Sequence, residues 1–444
     1  MLKQRWFTAW ASKRTDLLGV TDAALSSFAT FLVGLFAARA FNPSELGAYA
    51  LCFSAVFVAG IIPSQGYFVP AENLLVGLPQ TDRLGALRST IRRGGWTALV
   101  SGLGVVGWLP FAPAAIVHDV LVPLTTTAMA AAFLSPVQDH VRRMLHLGGA
   151  SLSAVAVSGV QIATVLTALV VCSAAGVPQW WAPFGALAFA NGASTVAGMW
   201  LAGAFRPQSH PVHPLGWGEV RRSGRWLAGM GLLEASTAFA AAAIVAHLAS
   251  PAALGYAEAA RLVAQPVTVA AWGLLAVLGP RSVRAGQTLE ADQARRVSRT
   301  FISTIARVGI PSLAIFGPVW PGNPMTWLLP NAYVVPGLVI LSILAGLANA
   351  VLYPFRSELI GGRQESGIAI MELKANVLRV AVACTSILLH AYALPLSLLA
   401  VAAARWRGYQ RMIAEMYGAG QAAQKPGAES MGLGARGGPG SKPS

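Results

Sequence analysis

The sequence predicts an all-α integral membrane protein with about twelve transmembrane helices, arranged as two parallel six-helix lobes around a central cavity. Three observations support this prediction. Of the 444 residues, 55% are hydrophobic and only 11% are charged, which is more apolar surface than a soluble chain can bury. The apolar runs are long enough to cross a hydrocarbon core of about 30 Å, which takes about 20 helical residues. Basic residues recur in every second loop between these runs.

Each apolar run is interpreted as a helix, because lipid offers no hydrogen bonds to an open backbone. The strict alternation of a membrane β-strand is absent from these runs. The first six helices are predicted near residues 17–41, 45–70, 94–117, 120–145, 151–175 and 179–204. The second six are predicted near residues 226–249, 252–280, 301–320, 333–356, 366–390 and 393–415.

These helices divide the chain into four predicted parts. They are an N-terminal six-helix lobe (1–205), a cytoplasmic inter-lobe linker (206–225), a C-terminal six-helix lobe (226–417) and a disordered cytoplasmic tail (418–444). The linker is polar and contains prolines. The tail is rich in Gly, Ala, Pro and Ser, a composition that cannot bury a core.

The arginines give the predicted topology. Those on one side of the membrane are Arg83, Arg88, Arg92, Arg93, Arg142, Arg143, Arg206, Arg221, Arg222, Arg225, Arg281, Arg284, Arg295, Arg296, Arg299, Arg356, Arg363, Arg405, Arg407 and Arg411. The opposite loops are short and almost free of Arg and Lys. Because positive charge is retained in the cytoplasm, we predict a multi-pass protein of the cytoplasmic membrane with both termini inside.

Two stretches of the chain repeat the same corner between helices. "NPSELGAY" after the first helix and "SPAALGY" after the seventh share a Pro-x-x-Leu-Gly pattern, with Pro43 and Gly47 matching Pro251 and Gly255. Six helices separate the two corners, so both halves have the same orientation. The pattern is also common in unrelated helix–turn–helix corners. Together with the matched topology, we interpret it as a parallel duplication, an architecture that places a substrate site between halves that rock against each other.

Two motifs resemble a known family. "ARAFNPSELGAYAL" and "VQDHVRRMLHLGG" are similar to stretches of bacterial polysaccharide flippases of the O-antigen type. These flippases belong to the multidrug/oligosaccharidyl-lipid/polysaccharide exporter superfamily. The resemblance implies a V-shaped pair of lobes, with helices one, two, seven and eight lining a central cavity. It also implies transport of a polyprenyl-pyrophosphate-linked glycan across the cytoplasmic membrane, with membrane lipids and other polysaccharide assembly proteins as partners.

Charged residues inside the apolar runs are the candidate site residues, because each costs about 2.5–3.5 kcal/mol at the centre of a membrane helix. Arg261 lies ten residues after Pro251, about 15 Å deep, with Glu258 one turn earlier on the same face. Either the two neutralise each other and fix helix packing, or Arg261 binds a pyrophosphate with its guanidinium group. The resembling flippases have arginines on the first, second and eighth helices in a cationic cavity, which favours binding by Arg261.

Four other charged residues leave similar alternatives. Arg39 lies four residues before Pro43, where it either contacts substrate or extends to the lipid headgroups. Asp22 and Glu234, in the first and seventh helices, either hold a coupling proton or cation or join Ser/Thr hydrogen-bond networks. In the eleventh helix, Arg379 either contacts substrate or forms a packing network with residues such as Glu372.

Other classes of function are not indicated. The formal net charge of +15 is spread over short loops rather than one face, so we predict no nucleic-acid partner. The three cysteines are far apart, and we predict no metal site. Phosphate-binding and nucleophile motifs are absent, so we predict a non-enzyme without cofactors. The alternatives to a flippase are a cation-coupled multidrug exporter of the same superfamily and a non-transporting scaffold for polysaccharide assembly.

Overall fold

The computed structural model describes residues 2–114, 116, 118–205, 216–318, 320 and 322–424. These residues are almost entirely helical, which confirms the predicted all-α fold class. Twelve long helices are present: α1 (Leu2–Ala40), α2 (Pro43–Leu75), α3 (Leu84–Phe111), α4 (His118–Leu147), α5 (Ser151–Ala174), α6 (Ala182–Leu201), α7 (Trp217–Leu248), α8 (Pro251–Thr288), α9 (Ala291–Phe316), α10 (Leu338–Gly361), α11 (Glu365–Ala383) and α12 (Ala393–Gln424). The short helices Gln80–Arg83, Met325–Leu328, Asn331–Tyr333, Ser386–Leu389 and His390–Tyr392 lie in the connections.

Eight of the long helical segments are long and apolar enough to cross a membrane. Helix α8 adds a ninth span if its two segments, which bend by 52° next to Leu275, are counted together. The remaining helices α6, α9 and α11 are interrupted by polar side chains, such as Arg307 in α9 and Lys374 in α11. The chain is therefore a multi-pass membrane protein.

Helix packing repeats with a period of six helices. In the first half, α1 packs on α5, α4 and α5 pack on α6, and α3 packs on α4. In the second half, α7 packs on α11, α10 and α11 pack on α12, and α9 packs on α10. Between the halves, α2 packs on α8, and the α1–α8 contact mirrors the α7–α2 contact. The arrangement has the pattern of an approximate twofold axis through the α2–α8 contact.

The two repeated corners begin α2 and α8 with the same chemistry. Asn42 caps α2 through its Oδ1, which accepts a hydrogen bond from the Glu45 backbone N–H at 3.1 Å, and the Glu45 carboxylate accepts one from the Asn42 N–H at 2.8 Å. Ser250 caps α8 by accepting from the Ala253 N–H at 3.0 Å. A proline follows each cap at the first helical position, where its missing N–H costs nothing.

The glycines of the two corners bring the halves into backbone contact. A Cβ atom added to Gly47 would lie 1.9 Å from the Pro251 carbonyl oxygen, and one added to Gly255 would lie 1.9 Å from the Pro43 carbonyl oxygen. The corners therefore pack on each other, each glycine against the opposite proline. We call this end of the molecule the corner end, and the opposite end, where α4 and α10 finish, the basic end. The basic end is the predicted cytoplasmic side.

Some predicted boundaries lie where the structure is not described. Residues 206–215 of the inter-lobe linker and residues 425–444 of the tail are outside the described residues. Residues 216–225 belong to the described chain, and α7 already begins at Trp217. At the other end, α12 continues to Gln424, past the predicted start of the tail.

Candidate functional site

Arg261 and Glu258 form an ion pair on α8. The Arg261 Nε and Nη2 atoms donate to the two carboxylate oxygens of Glu258 at 2.7 and 2.6 Å. The pair lies beside Tyr49 of α2, in the contact between the halves. This is the neutralising pair that the sequence left open as one alternative. Two guanidinium nitrogens are engaged, so Arg261 is not a free cation.

The same pair is accessible on one side. The Glu258 side chain is 8% exposed, whereas the Arg261 side chain is 44% exposed although it lies near the middle of the bundle. The guanidinium of Arg261 is therefore accessible beside its carboxylate partner.

Arg39 does not lie with the other charged residues. Its Nε donates to the Leu328 carbonyl at 3.1 Å, and its Nη2 donates to the Trp327 carbonyl. These carbonyls belong to the α9–α10 connection of the second half, and the Tyr333 hydroxyl of that connection donates to the Phe41 carbonyl at 2.6 Å. Arg39 thus joins the two halves at the corner end.

The second half contains the matching contact. His247 lies four residues before Pro251, as Arg39 lies four residues before Pro43. Its Nε2 is 3.0 Å from the Phe111 carbonyl, at the end of α3 in the first half. A carbonyl can only accept, so this nitrogen carries the proton. Two equivalent hydrogen-bonded contacts therefore close the corner end, which indicates a packing role for both side chains.

Asp22 lies in a polar cluster of the first half. Its carboxylate accepts from Ser158 at 2.5 Å, is 3.0 Å from His146 Nε2, and is 3.7 Å from Arg142. Arg142 also pairs with Asp139 at 2.9 Å. Asp22 therefore does bond a serine hydroxyl, but that serine is on α5, and α4 adds Arg142 and His146 beside the carboxylate.

Glu72 extends this first-half cluster. Its carboxylate is 2.8 Å from His140 Nδ1 and 3.1 Å from Arg143 Nε. His140 is fully buried, and its other ring nitrogen is 2.8 Å from the Thr90 hydroxyl. Apart from its histidines, the first-half cluster has three carboxylates (Asp22, Glu72 and Asp139) and two guanidinium groups (Arg142 and Arg143).

A second cluster, in which guanidinium groups outnumber carboxylates, lies in the second half. Glu372 of α11 pairs with Arg405 of α12 and accepts from the Tyr409 hydroxyl at 2.6 Å. Glu234 of α7 is 3.5 Å from Arg405 and 3.8 Å from Arg356 of α10. Glu372 therefore binds α12 and not Arg379, the residue on its own helix that the sequence favoured as a network partner.

Arg379 gives the second-half cluster its excess charge. It lies near enough to Glu234 to act on that carboxylate electrostatically, and its buried Nε has no hydrogen-bond partner among the described residues. With Arg356 and Arg405, the cluster holds three guanidinium groups against two carboxylates, an excess of one positive charge. The Glu234 side chain is 42% exposed and that of Arg356 is 30% exposed, so the cluster is accessible at these two residues. The side chains of Arg405 and Glu372, in contrast, are nearly buried.

The structure groups the predicted site residues differently from the sequence. Asp22 lies in the first-half cluster, Glu234 and Arg379 lie in the second-half cluster, Arg261 and Glu258 form their own pair, and Arg39 lies at the corner end. The sequence analysis missed His140 and His146 as partners of carboxylates, because spacing along one chain does not reveal contacts between helices. Within the part of the chain that the structure describes, no group of His, Cys, Asp and Glu could hold a metal ion.

Comparisons with known proteins identify the fold. No protein-family model matches the sequence, and no curated protein matches it. Solved structures match nearly the whole chain. An outward-facing multidrug resistance MATE family transporter of the MOP superfamily matches with a TM-score of 0.64 and 10% identity, over 93% of this chain and 96% of its own. A MATE transporter from Vibrio cholerae matches with a TM-score of 0.59 and 13% identity (92% and 99%), and a MOP superfamily transporter from Pyrococcus furiosus with 0.56 and 12% (94% and 96%).

These identities are low, so the likeness establishes the fold alone. The chain has the fold of MOP superfamily transporters, over nearly its full length and that of the matched structures. The polysaccharide flippases that the sequence resembles are placed in the same superfamily as these structures, so the resemblance and the structures agree on the fold. The fold does not identify the substrate, which we infer below from the charged clusters.

Proposed function

We propose that this protein is a transporter that moves polyprenyl-pyrophosphate-linked glycan precursors across the cytoplasmic membrane. The two halves would open alternately at the corner end and the basic end. The observation that carries the proposal is the second-half cluster, in which Arg356, Arg379 and Arg405 outnumber two carboxylates. Arginine is suited to a pyrophosphate, because its planar guanidinium group binds phosphate oxygens in pairs.

The depth of Arg379 supports this role. It lies fourteen residues after Glu365, about 21 Å along α11 from the basic end. A pyrophosphate that crosses the membrane needs a positive charge away from the surface, since an anion in apolar surroundings is unfavourable. Arg356 lies near the basic end of α10, so the cluster presents positive charge from the surface to the interior.

A cation-coupled multidrug exporter is the second candidate. The favouring observation is the fold itself, because two of the structures reported above are MATE family transporters and one is described as a multidrug resistance protein. The first-half cluster also has one more carboxylate than guanidinium group. The Pyrococcus furiosus protein is described as having a binding pocket of reverse polarity that suggests a different function. We propose that the cationic second half of this chain likewise favours an anionic substrate.

The proposed function is tested by binding and flipping of polyprenyl pyrophosphate. Purified full-length protein in liposomes should bind this lipid, and Arg379→Gln should weaken binding by about tenfold, as expected for one charge-assisted hydrogen-bonded contact. Lys374→Gln is the matched control, because it removes one positive charge from the exposed face of the same helix. We expect the control to bind like the wild type.

Two results would contradict the proposal. One is equal loss of binding in both variants, which would mean that net charge and not the cluster attracts the lipid. The other is efflux of cationic dyes by the wild type without any binding of polyprenyl pyrophosphate, which would support the multidrug candidate instead.

A further inference from the structure

The first half encloses a small polar cavity that lies apart from the ion pairs that Arg143 and Glu72 form. Its volume is about 210 Å³, and it lies among α1, α2, α4, α5 and α6. Its lining includes the amides of Gln138, Gln161 and Asn191, the carboxylate of Asp139, and the rings of Phe53 and Phe57.

A chain of buried amides forms one wall of the cavity. Gln138 Nε2 donates to Gln161 Oε1 at 3.4 Å, Gln161 Nε2 donates to Asn191 Oδ1 at 2.7 Å, and Asn191 Nδ2 donates to Ser135 Oγ at 2.8 Å. The three amide side chains are 1–3% exposed. Each of these bonds uses one of the two N–H groups of its amide, so every amide retains donor capacity. This wall is preorganised for a ligand with several hydrogen-bonding groups.

Two aromatic rings form another part of the lining. The rings of Phe53 and Phe57 lie on α2, and Phe57 is 56% exposed although it belongs to a helix in the middle of the bundle. A ligand that suits both the amides and the rings has hydroxyl or amide groups on its edge and an apolar face of C–H groups. A sugar ring has this combination, because its equatorial hydroxyls surround a C–H face that packs on an aromatic ring.

Charge and size exclude other ligand classes. Asp139 contributes the carboxylate of the cavity, but this carboxylate is already paired with Arg142 at 2.9 Å. A cation would therefore compete with a guanidinium group, and an anion would face a carboxylate. Pockets for drug-sized ligands are about 300–1,000 Å³. The cavity is smaller and suits a single neutral ring.

We propose that this cavity binds one monosaccharide unit of the lipid-linked substrate, while the second-half cluster binds its pyrophosphate. The inference rests on the proposed function and adds the site of glycan recognition. In this arrangement, the first half selects the sugar through hydrogen bonds, and the second half binds the charge that all such lipids share. Sugar selectivity and pyrophosphate affinity are then separable by mutation.

The experiment compares two probes on the purified full-length protein in detergent. One probe is polyprenyl pyrophosphate, and the other is the same lipid with a short chain of N-acetylhexosamine units, which can extend from the cluster in one half to the cavity in the other. We expect the wild type to bind the glycosylated lipid about tenfold more tightly, as for one or two additional hydrogen bonds. Gln161→Leu should abolish this preference without changing the affinity for the unglycosylated lipid. Gln179→Leu, an amide removed outside the cavity, should retain the preference.

A second cavity variant is included in case Gln161→Leu does not fold. Phe57→Leu changes an exposed ring and keeps a side chain of similar polarity, and it should reduce the sugar preference severalfold. Arg379→Gln should weaken both lipids equally, because it acts on the pyrophosphate.

The outcomes separate the two proposals. If the wild type binds both lipids equally, or if both cavity variants keep the sugar preference, the cavity does not bind the sugar and the inference is overturned. If the cavity variants weaken both lipids alike, the cavity has a packing role, which also overturns the inference. Both results leave the pyrophosphate proposal intact as long as Arg379→Gln weakens binding. If the wild type binds neither lipid, the proposed function fails, and the inference fails with it.

Discussion

The contact between the two corners gives the sharpest test of the fold, by substitution of Gly47 or Gly255 with alanine. A Cβ at either position would lie 1.9 Å from a backbone oxygen of the opposite helix, about 1.5 Å closer than ordinary van der Waals contact at 3.4 Å. A backbone oxygen cannot rotate away as a flexible side chain can. The helices α2 and α8 must therefore separate at the corner end.

The expected cost follows from two opposing effects. Overpacking of a close contact costs about 1–3 kcal/mol, and a shift of two helix backbones lies at or above the upper end of that range. Alanine in place of glycine inside a helix regains up to about 1 kcal/mol. We expect a net destabilisation of about 2 kcal/mol for Gly47→Ala, seen as a lower midpoint of thermal unfolding in detergent.

Two further variants make this test specific. Gly159→Ala in α5 is the control, because nothing lies within 4 Å of the added Cβ, and it should be neutral or slightly stabilising. In the double variant Gly47→Ala/Gly255→Ala, one separation of the helices relieves both clashes, so the cost should be clearly smaller than the sum of the single costs. Additive costs, or a Gly47→Ala variant as stable as Gly159→Ala, would refute a direct contact between the corners.

Two other predictions concern the polar contacts of the halves. Asp22→Asn removes a buried carboxylate that accepts from Ser158 and lies 3.0 Å from His146, whereas Arg142 keeps Asp139 as a partner, so we expect a loss of about 1.5–3 kcal/mol of stability. Asp139→Asn, at a carboxylate that is 45% exposed, should cost under about 1 kcal/mol. If the two variants unfold at the same temperature, the Asp22 cluster contributes little. Arg39→Gln removes the donors to the α9–α10 connection, so amide hydrogen exchange in residues 327–333 should accelerate in the variant. Unchanged exchange there would mean that the Tyr333 contact alone closes the corner end.

The sequence predicted the fold well because membrane folds are dictated by local signals. Length of an apolar run and loop charge are properties of one segment, and the hydrocarbon core acts on each segment separately. The repeated corner was also readable, because a cap, a proline and a glycine are short-range features. The contact between the corners was not predicted. Gly47 lies against Pro251 and Gly255 lies against Pro43 because α2 packs on α8, and no local sequence pattern encodes this packing.

The site was less predictable for the same reason. Residue spacing correctly brought Glu258 and Arg261 together, since both lie on one face of one helix. It paired Glu372 with Arg379 on the same grounds, but α12 brings Arg405 closer. His140 and His146 of α4 were not among the predicted site residues, because their carboxylate partners lie on α2 and α1. Spacing within single helices was enough to select the candidate residues. Their actual partners depend on contacts between helices, which spacing does not show.

The duplication also explains why the two halves differ chemically. The corners are 208 residues apart, and at that offset Arg39 matches His247, which makes the same kind of contact with a backbone carbonyl across the corner end. Inside the halves the match is lost: Asp22 corresponds to Met230, and Glu234 corresponds to Ser26. In the proposed function the halves rock against each other, and the equivalent contacts at their ends would release and re-form together. No such equivalence is needed inside the halves, so one half can carry the guanidinium cluster while the other carries the amide-lined cavity.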